Sequence, residues 1–360
     1  MENATKEELN EEFLLKEYND STVVTLIPVM VYVVALMIPG IVGNSFVCYF
    51  YTMKTSVSTN VMFIVSLAVY DLMVCCISMP FEIVELRFYY LFTNYAACKI
   101  GRFLNTFGAI GSALTLNVIA VDRFRRVCRP FDNQMGVKGA RLAIGITISG
   151  AVLLSFPAFF LYKPVQVEIF NGDGVKLQGF DCTTSRDEGY SKLVTAFNTS
   201  HAIGFLVSVV ILVTMYSMIG RRVYKTRKNA HGHNSLDKST LRYTKMMLAI
   251  TVVFVSSFLP YLILSYWRTT LDEYEGETMG NTELVAFNIG FRSYFLNSAI
   301  NPLIYGLFNP KFRGFIFDIL CPCRRCNLEM CPIVHATSYE VHDMAHSTSE
   351  NTNETSFPSV

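Results

Sequence analysis

Apolar and polar positions fall in long blocks along this chain. Seven apolar stretches, at approximately 23–51, 58–86, 96–127, 139–162, 190–220, 243–267 and 284–307, are each long enough for a membrane-crossing helix. The third is the clearest. As a helix, Cys98 to Arg123 spans roughly 37 Å, more than the ~30 Å hydrocarbon core of a bilayer. It would place a cysteine at one face and the triplet Asp122-Arg123-Phe124 at the other. Between the fourth and fifth stretches, Val165, Val167 and Ile169 alternate with polar residues. Asn171-Gly172-Asp173-Gly174 follows, then Val175 and Leu177, a pattern that predicts a β-hairpin. After the seventh stretch, Phe312, Phe315, Ile316 and Ile319 recur at helical spacing opposite charges, which predicts a short helix on the membrane surface. The expected fold is an all-α membrane protein: a seven-helix bundle over 23–307 and an amphipathic eighth helix over 308–320. A polar N-terminal segment (1–22) and a polar, disordered tail (321–360) complete it.

Composition agrees. The chain is 51% hydrophobic and 16% charged, against about 25% charged for a soluble average. Its net charge of +1 gives no argument for nucleic acid, because the charges segregate by loop. Arg123, Arg125, Arg126, Arg129, Lys138 and Arg141 share one side with Arg221, Arg222, Lys225, Lys245, Lys311 and Arg313. The positive-inside rule makes that side cytoplasmic and the N-terminus extracellular. Asn3 and Asn19 then lie in glycosylation sequons. Of the 10 cysteines, Cys98 and Cys182 both face the oxidising side, where a disulfide can persist. Cys321, Cys323 and Cys326 follow the eighth helix as palmitoylation candidates. Their spacing lacks a second CxxC or a His pair to complete a zinc site.

Polar groups inside apolar runs mark function in a membrane protein. Asp71, Ser112, Asn297, Ser298 and Asn301, with Asn44, can hold a small cation by oxygen ligands or form a satisfied hydrogen-bond network. Pro260 and Pro302 weaken the sixth and seventh helices locally. Enzyme motifs such as HExxH and GxSxG are absent, and no internal repeat of the kind transporters use is visible.

With Gly43-Asn44, Leu67-Ala68-Val69-Tyr70-Asp71, Cys98, Asp122-Arg123-Phe124, Cys182, Tyr216, Phe254 through Pro260, Asn301-Pro302-Leu303-Ile304-Tyr305 and Phe308 through Phe312 in order, the chain resembles the rhodopsin-like (class A) G-protein-coupled receptors over roughly 23–320. The resemblance implies that Asp122 holds Arg123 at rest. On activation Arg123 is released toward the G protein beside Tyr216 and Tyr305, and Phe131 enters an apolar pocket on the G protein. Phe254, Phe258, Pro260, Asn301, Pro302 and Tyr305 would form the activation switch. Asp71, Ser112, Asn297, Ser298 and Asn301 match the family's allosteric sodium site. Other cofactors are not expected. Phe258 replaces the usual tryptophan, Ser208 stands near the usual fifth-helix proline, and the fourth span has no mid-span tryptophan. Thr240 stands where some members carry a carboxylate that locks the triplet arginine.

Family position also bears on the ligand. Asn105 replaces the aspartate of amine receptors, and Phe295 replaces the lysine of opsins. The expected ligand is a (neuro)peptide, with a lipid or small metabolite as the alternative. Its candidate contacts are Glu82, Arg102, Asn105, Thr106, His201, Tyr261 and Phe291. Glu82 and Glu85, with Asp272, Glu273, Glu275, Glu277 and Glu283 in the last outer loop, are expected to form an acidic mouth that steers a basic peptide. The remaining expected partners are a heterotrimeric G protein, membrane lipid, and arrestin after phosphorylation of the serine- and threonine-rich tail.

Overall fold

The computed structural model describes residues 2–170, 175–185, 188–228, 238–270 and 279–320. Helix α1 (Glu2–Met53) is 52 residues long and begins well before the apolar stretch expected at 23. The polar segment continues the helix because Leu14, Leu15 and Tyr18 supply one apolar face. They pack with Val167, Ile169 and Leu177 of the segment before the fifth span, and that tertiary contact stabilises an extension marginal alone.

The second span is a composite of α2 (Thr59–Met73), a π-helical turn (Val74–Ser78) and α3 (Met79–Arg87). Pro80 lacks the N–H that would bond the carbonyl four residues back, and its ring crowds that carbonyl. The π turn absorbs one extra residue. It rotates the outer half by about 100°, one residue's worth of helical phase, and Glu82 and Glu85 meet the third span there.

That span is α4 (Tyr95–Cys128), capped by the Asn94 side chain, which accepts from Ala97 N at 3.0 Å. Gly101 and Gly108 let it approach the second span: an added Cβ would stand 2.6 Å from the Phe81 ring or 2.7 Å from Val74. The fourth span, α5 (Val137–Ser155), is continued past Phe156-Pro157 by α6 (Ala158–Leu161).

Strands β1 (Tyr162–Phe170) and β2 (Lys176–Thr184) then pair antiparallel, from Tyr162 opposite Thr184 to Phe170 opposite Lys176. This is the expected hairpin; Asn171–Gly174 lies outside the described residues. Cys182 is joined to Cys98, with Cα atoms 5.6 Å apart. Phe180 of β2 also exchanges backbone hydrogen bonds with Tyr90 and Phe92.

Helices α7 (Glu188–Lys228) and α8 (Lys238–Thr270) form the fifth and sixth spans, with Pro260 inside α8. Among the described residues, six spans are long and apolar enough to cross a bilayer as nearly unbroken rods. The seventh is built from two helices, α9 (Asn281–Phe291) and α10 (Phe295–Phe308). At the join, the bonds from Ser293 N to Gly290 O, Phe295 N to Arg292 O and Leu296 N to Ser293 O reach back three residues instead of four. The helix tightens there to a 3₁₀ turn. End to end, the two pieces exceed the ~30 Å hydrocarbon core.

Helix α11 (Pro310–Leu320) starts with proline at its first position, and Asn309 Oδ1 accepts from Lys311 N and Phe312 N at 3.1 and 3.3 Å. Phe312 packs edge-on to Phe50 at 5.3 Å, and Phe315 packs against Phe50 tilted at 5.2 Å. Residues to Phe315 form one compact unit, and those from Ile316 belong to a second.

Burial follows the membrane rule. Val69, Ile77, Leu153, Leu206, Val210, Ile263 and Leu303 are exposed, whereas Asn44, Asp71, Asp122, Arg123, Asn297 and Asn301 are buried.

Candidate functional site

Below the hairpin lies a cavity of about 730 Å³, within the size range of small-molecule and cofactor sites. Arg102, Asn105 and Thr106 of α4 line one wall, and His201 and Phe205 of α7 another. Tyr261 of α8 and Phe291 of α9 close a third side, and Cys182 and Thr183 form the roof. The floor is aromatic: Phe254 and Phe258 lie 4.8 Å apart, Phe258 and Tyr294 5.9 Å, and Tyr261 and Tyr294 5.1 Å. His201 Nδ1 is 2.8 Å from Phe197 O, and its ring packs edge-on to Phe197 at 4.1 Å.

Behind this wall lies a buried ion network. Arg102 Nη1 donates to Glu82 Oε1 at 3.0 Å, and Nη2 donates to Glu85 and, at 3.2 Å, to Cys182 O. Asn105 Nδ2 donates to Glu82 Oε1 at 2.7 Å. The other Glu82 oxygen lies 2.9 Å from Arg292 Nε. Glu82 is 0% exposed and does not line the cavity. Glu82 and Glu85 are therefore not part of the expected acidic mouth. Glu82 and Glu85 face inward and are balanced by Arg102 and Arg292, so Arg102 carries the only formal charge in the wall among the described residues. Residues 272–277 lie outside the described residues.

Deeper in the bundle, Asn301 Nδ2 donates to Asp71 Oδ2 at 2.7 Å, and Asn44 Nδ2 donates to the carbonyls of Gly40 and Ser298, both at 2.9 Å. Ser298 stands beside the Asp71 carboxylate. Ser112 is buried one residue after Gly111, which packs on Tyr70. Asp71 Oδ1, Asn44 Oδ1, Asn297 Oδ1 and Asn301 Oδ1 are buried and accept no hydrogen bond among the described residues. All four are acceptors, the kind of atom a hard cation takes as a ligand.

At the far end of α4, Arg123 is 1% exposed. It pairs with Asp122, donates to Asn60 Oδ1 at 2.5 Å, and lies 4.4 Å from the centroid of the Tyr243 ring. Arg126 reinforces the pair: its Nε donates to Asp122 at 3.0 Å and its Nη2 to Thr59 Oγ1 at 2.7 Å. Tyr216 and Tyr305 are buried nearby, and among the described residues the Tyr305 hydroxyl has no hydrogen-bond partner. Phe131, by contrast, is 100% exposed.

This geometry has relatives. Residues 43–305 match the family described as 7 transmembrane receptor (rhodopsin family). The chain belongs to that family. It is 28% identical over 297 residues to the C3a anaphylatoxin chemotactic receptor of Danio rerio, covering 82% of this chain and 75% of that receptor. It is 27% identical to neuropeptide FF receptor 2 of Rattus norvegicus (79% and 70% covered) and to growth hormone secretagogue receptor type 1 of Mus musculus (80% and 79% covered). The protein is thus a class A G-protein-coupled receptor, a multi-pass membrane protein that answers an extracellular ligand and acts on G proteins. It is not an enzyme.

In the receptor, Arg102, Asn105, Thr106, His201, Tyr261 and Phe291 converge on one cavity, and Glu82 stands behind them. The sodium-site candidates are all buried, with Asn301 bonded directly to Asp71. Asn19 departs from expectation. It is 0% exposed, its Nδ2 donates to Arg87 O at 3.3 Å, and its Oδ1 accepts from Tyr90 N at 3.1 Å. The nitrogen a glycan needs is occupied and enclosed. The side chain of Asn3 lies outside the described residues, as do Cys321, Cys323 and Cys326.

Sequence reasoning passed over Arg292, Arg126, Asn60 and Tyr243. Arg292 was detectable: it is a charged residue inside the expected seventh span and falls under the rule that singled out Asp71.

Proposed function

We propose that this receptor is activated by an extracellular peptide whose anchoring group in the cavity is neutral or hydrogen-bond accepting rather than cationic. The observation that carries the reading is the wall itself. It offers aromatic faces, neutral polar side chains and one cation, Arg102, with no unpaired carboxylate among the described residues. An ammonium group would meet Arg102 with no free counter-ion, at a large desolvation cost. The relatives named for C3a anaphylatoxin and neuropeptide FF support a peptide class.

The N-terminus and hairpin face outward and Arg123 faces the cytoplasm, in keeping with Arg125, Arg126, Lys138, Arg221 and Arg222 at that end. On activation α8 swings outward about Pro260, the Asp122–Arg123 pair opens, and Arg123, Tyr216 and Phe131 engage the G protein. Asp71, Ser112, Asn297, Ser298 and Asn301 hold a sodium ion that favours the resting form. The tail cysteines carry palmitate, and the phosphorylated tail recruits arrestin.

Nucleotide exchange tests the reading. The receptor in lipid nanodiscs is exposed to tissue-extract fractions with a panel of G proteins, each fraction before and after protease digestion. Arg123→Ala serves as the coupling control. Activity lost on digestion supports a peptide; activity that survives transfers the ligand to lipids or small metabolites.

A further inference from the structure

The cavity wall and the proline region of the sixth span are joined by a continuous run of polar contacts outside the expected switch. Arg102 and Asn105, both in the wall, donate to the same Glu82 oxygen at 3.0 and 2.7 Å. The other Glu82 oxygen is 2.9 Å from Arg292 Nε. Arg292 is the first residue of the break between α9 and α10, and its Nη1 donates to Asn288 Oδ1 at 2.6 Å. Its neighbour Ser293 donates from Oγ to the carbonyl of Ser257 at 2.7 Å. Ser257 precedes Phe258 and lies three residues before Pro260 inside α8.

Stability alone is a poor reason for this arrangement. Two carboxylates and two guanidinium groups have been removed from water, and well-packed apolar side chains commonly serve stability as well or better. The run also crosses the join in the seventh span, where the backbone bonds reach back three residues. Such a turn can exchange with regular helix by small backbone changes. Coupling between distant sites needs an element with two arrangements that both sites bias.

We propose that Glu82 and Arg292 are positioning residues that carry ligand contact at Arg102 and Asn105 to the sixth-helix pivot, through Ser293 at the break in the seventh span. A ligand group that draws Arg102 and Asn105 changes the hold on one Glu82 oxygen and thereby the hold of the other on Arg292. Ser293 moves with Arg292 and releases the Ser257 carbonyl, which frees the helix beside Phe258 to pivot. The inference rests on the chain acting as a G-protein-coupled receptor and is independent of whether its ligand is a peptide.

The test is a double-mutant cycle in the full-length receptor in nanodiscs. Nucleotide exchange per monodisperse receptor is measured with and without the active extract fraction, alongside the melting temperature. Ser293→Ala and Arg292→Gln should each change exchange at least threefold in the same direction, and the double variant should move no further than the larger single. Arg292→Lys, which keeps the charge, should recover at least half of the change. Ser293→Ala removes one hydroxyl and tests the idea even where Glu82→Gln fails to fold.

Unchanged exchange in Ser293→Ala would overturn the proposal. So would single effects that multiply in the double, or a fall in melting temperature with exchange intact. Exchange that persists in Arg123→Ala would count against G-protein coupling itself. Exchange lost there but additive at 292 and 293 would sink this inference alone.

Discussion

Tyr243 stands where it can replace a lock that the sequence lacks. Its ring centroid is 4.4 Å from the Arg123 guanidinium carbon, and its hydroxyl donates to Asn60 O at a long 3.4 Å. A desolvated cation–π contact contributes about 2 kcal/mol, and a neutral hydrogen bond contributes at most about 1.5 kcal/mol, less at that length. Tyr243→Ala removes the ring from the resting form. If the contact is lost when α8 moves, the resting-to-active equilibrium should shift by about 30-fold, since 1.4 kcal/mol is tenfold. Tyr243→Phe keeps the ring and should shift it less than about threefold. Agonist-free nucleotide exchange by purified receptor reads both. Thr240→Glu, which restores a carboxylate on α8, should lower exchange in the Tyr243→Ala background. Equal exchange in wild type and Tyr243→Ala would refute the lock, and an equal rise in Tyr243→Phe would assign it to the hydroxyl instead.

Replacing potassium by sodium at constant ionic strength should raise the melting temperature of the wild type. At ten times its Kd, a bound ion contributes about 1.4 kcal/mol. Asp71→Asn should abolish the rise, and a rise that persists would place the ion elsewhere. Gly43→Val would put a Cβ 2.6 Å from Pro302 Cβ and should destabilise by about 1–3 kcal/mol. Gly145→Ala, with nothing within 4 Å of the added carbon, should leave the melting temperature equal or slightly higher. Asn19→Gln should leave the glycosidase-sensitive gel mobility of the receptor unchanged, because that nitrogen is enclosed; loss of the shift would show that the segment opens before modification.

The spans, the hairpin and the surface helix were legible because each rests on a local pattern. Apolar length specifies the spans, alternation before Asn-Gly and Asp-Gly the hairpin, and the spacing of Phe312 and Phe315 the last helix. The outer part of α1 was not, because its acidic surface reads as solvated coil until Leu14, Leu15 and Tyr18 have the hairpin to pack on. The direction in which Glu82 and Glu85 point was also hidden. It depends on a π turn at Val74–Ser78, which shifts helical phase without changing composition. Arg102 as a neutralising partner of Glu82 was within reach of the sequence, whereas Arg292 pairs with Glu82 from more than two hundred residues away, a separation at which a single sequence carries no pairing signal. Glu82 and Glu85 read from the letters as part of an acidic mouth, and two buried arginines withdraw them from it. The Arg123 end was half legible: Asp122 is adjacent in sequence, whereas Tyr243 and Asn60 arrive from other helices.

The hairpin is fastened on two sides, which bears on how quickly a ligand can come and go. Cys182 ties β2 to α4 through Cys98, while Ile169 and Leu177 rest on Leu15 of α1. A roof tied at two places resists lifting. Away from the strands, Ser191 of α7 and Phe291 of α9 also border the cavity. A fixed doorway slows arrival and departure alike without altering how tightly the guest is held.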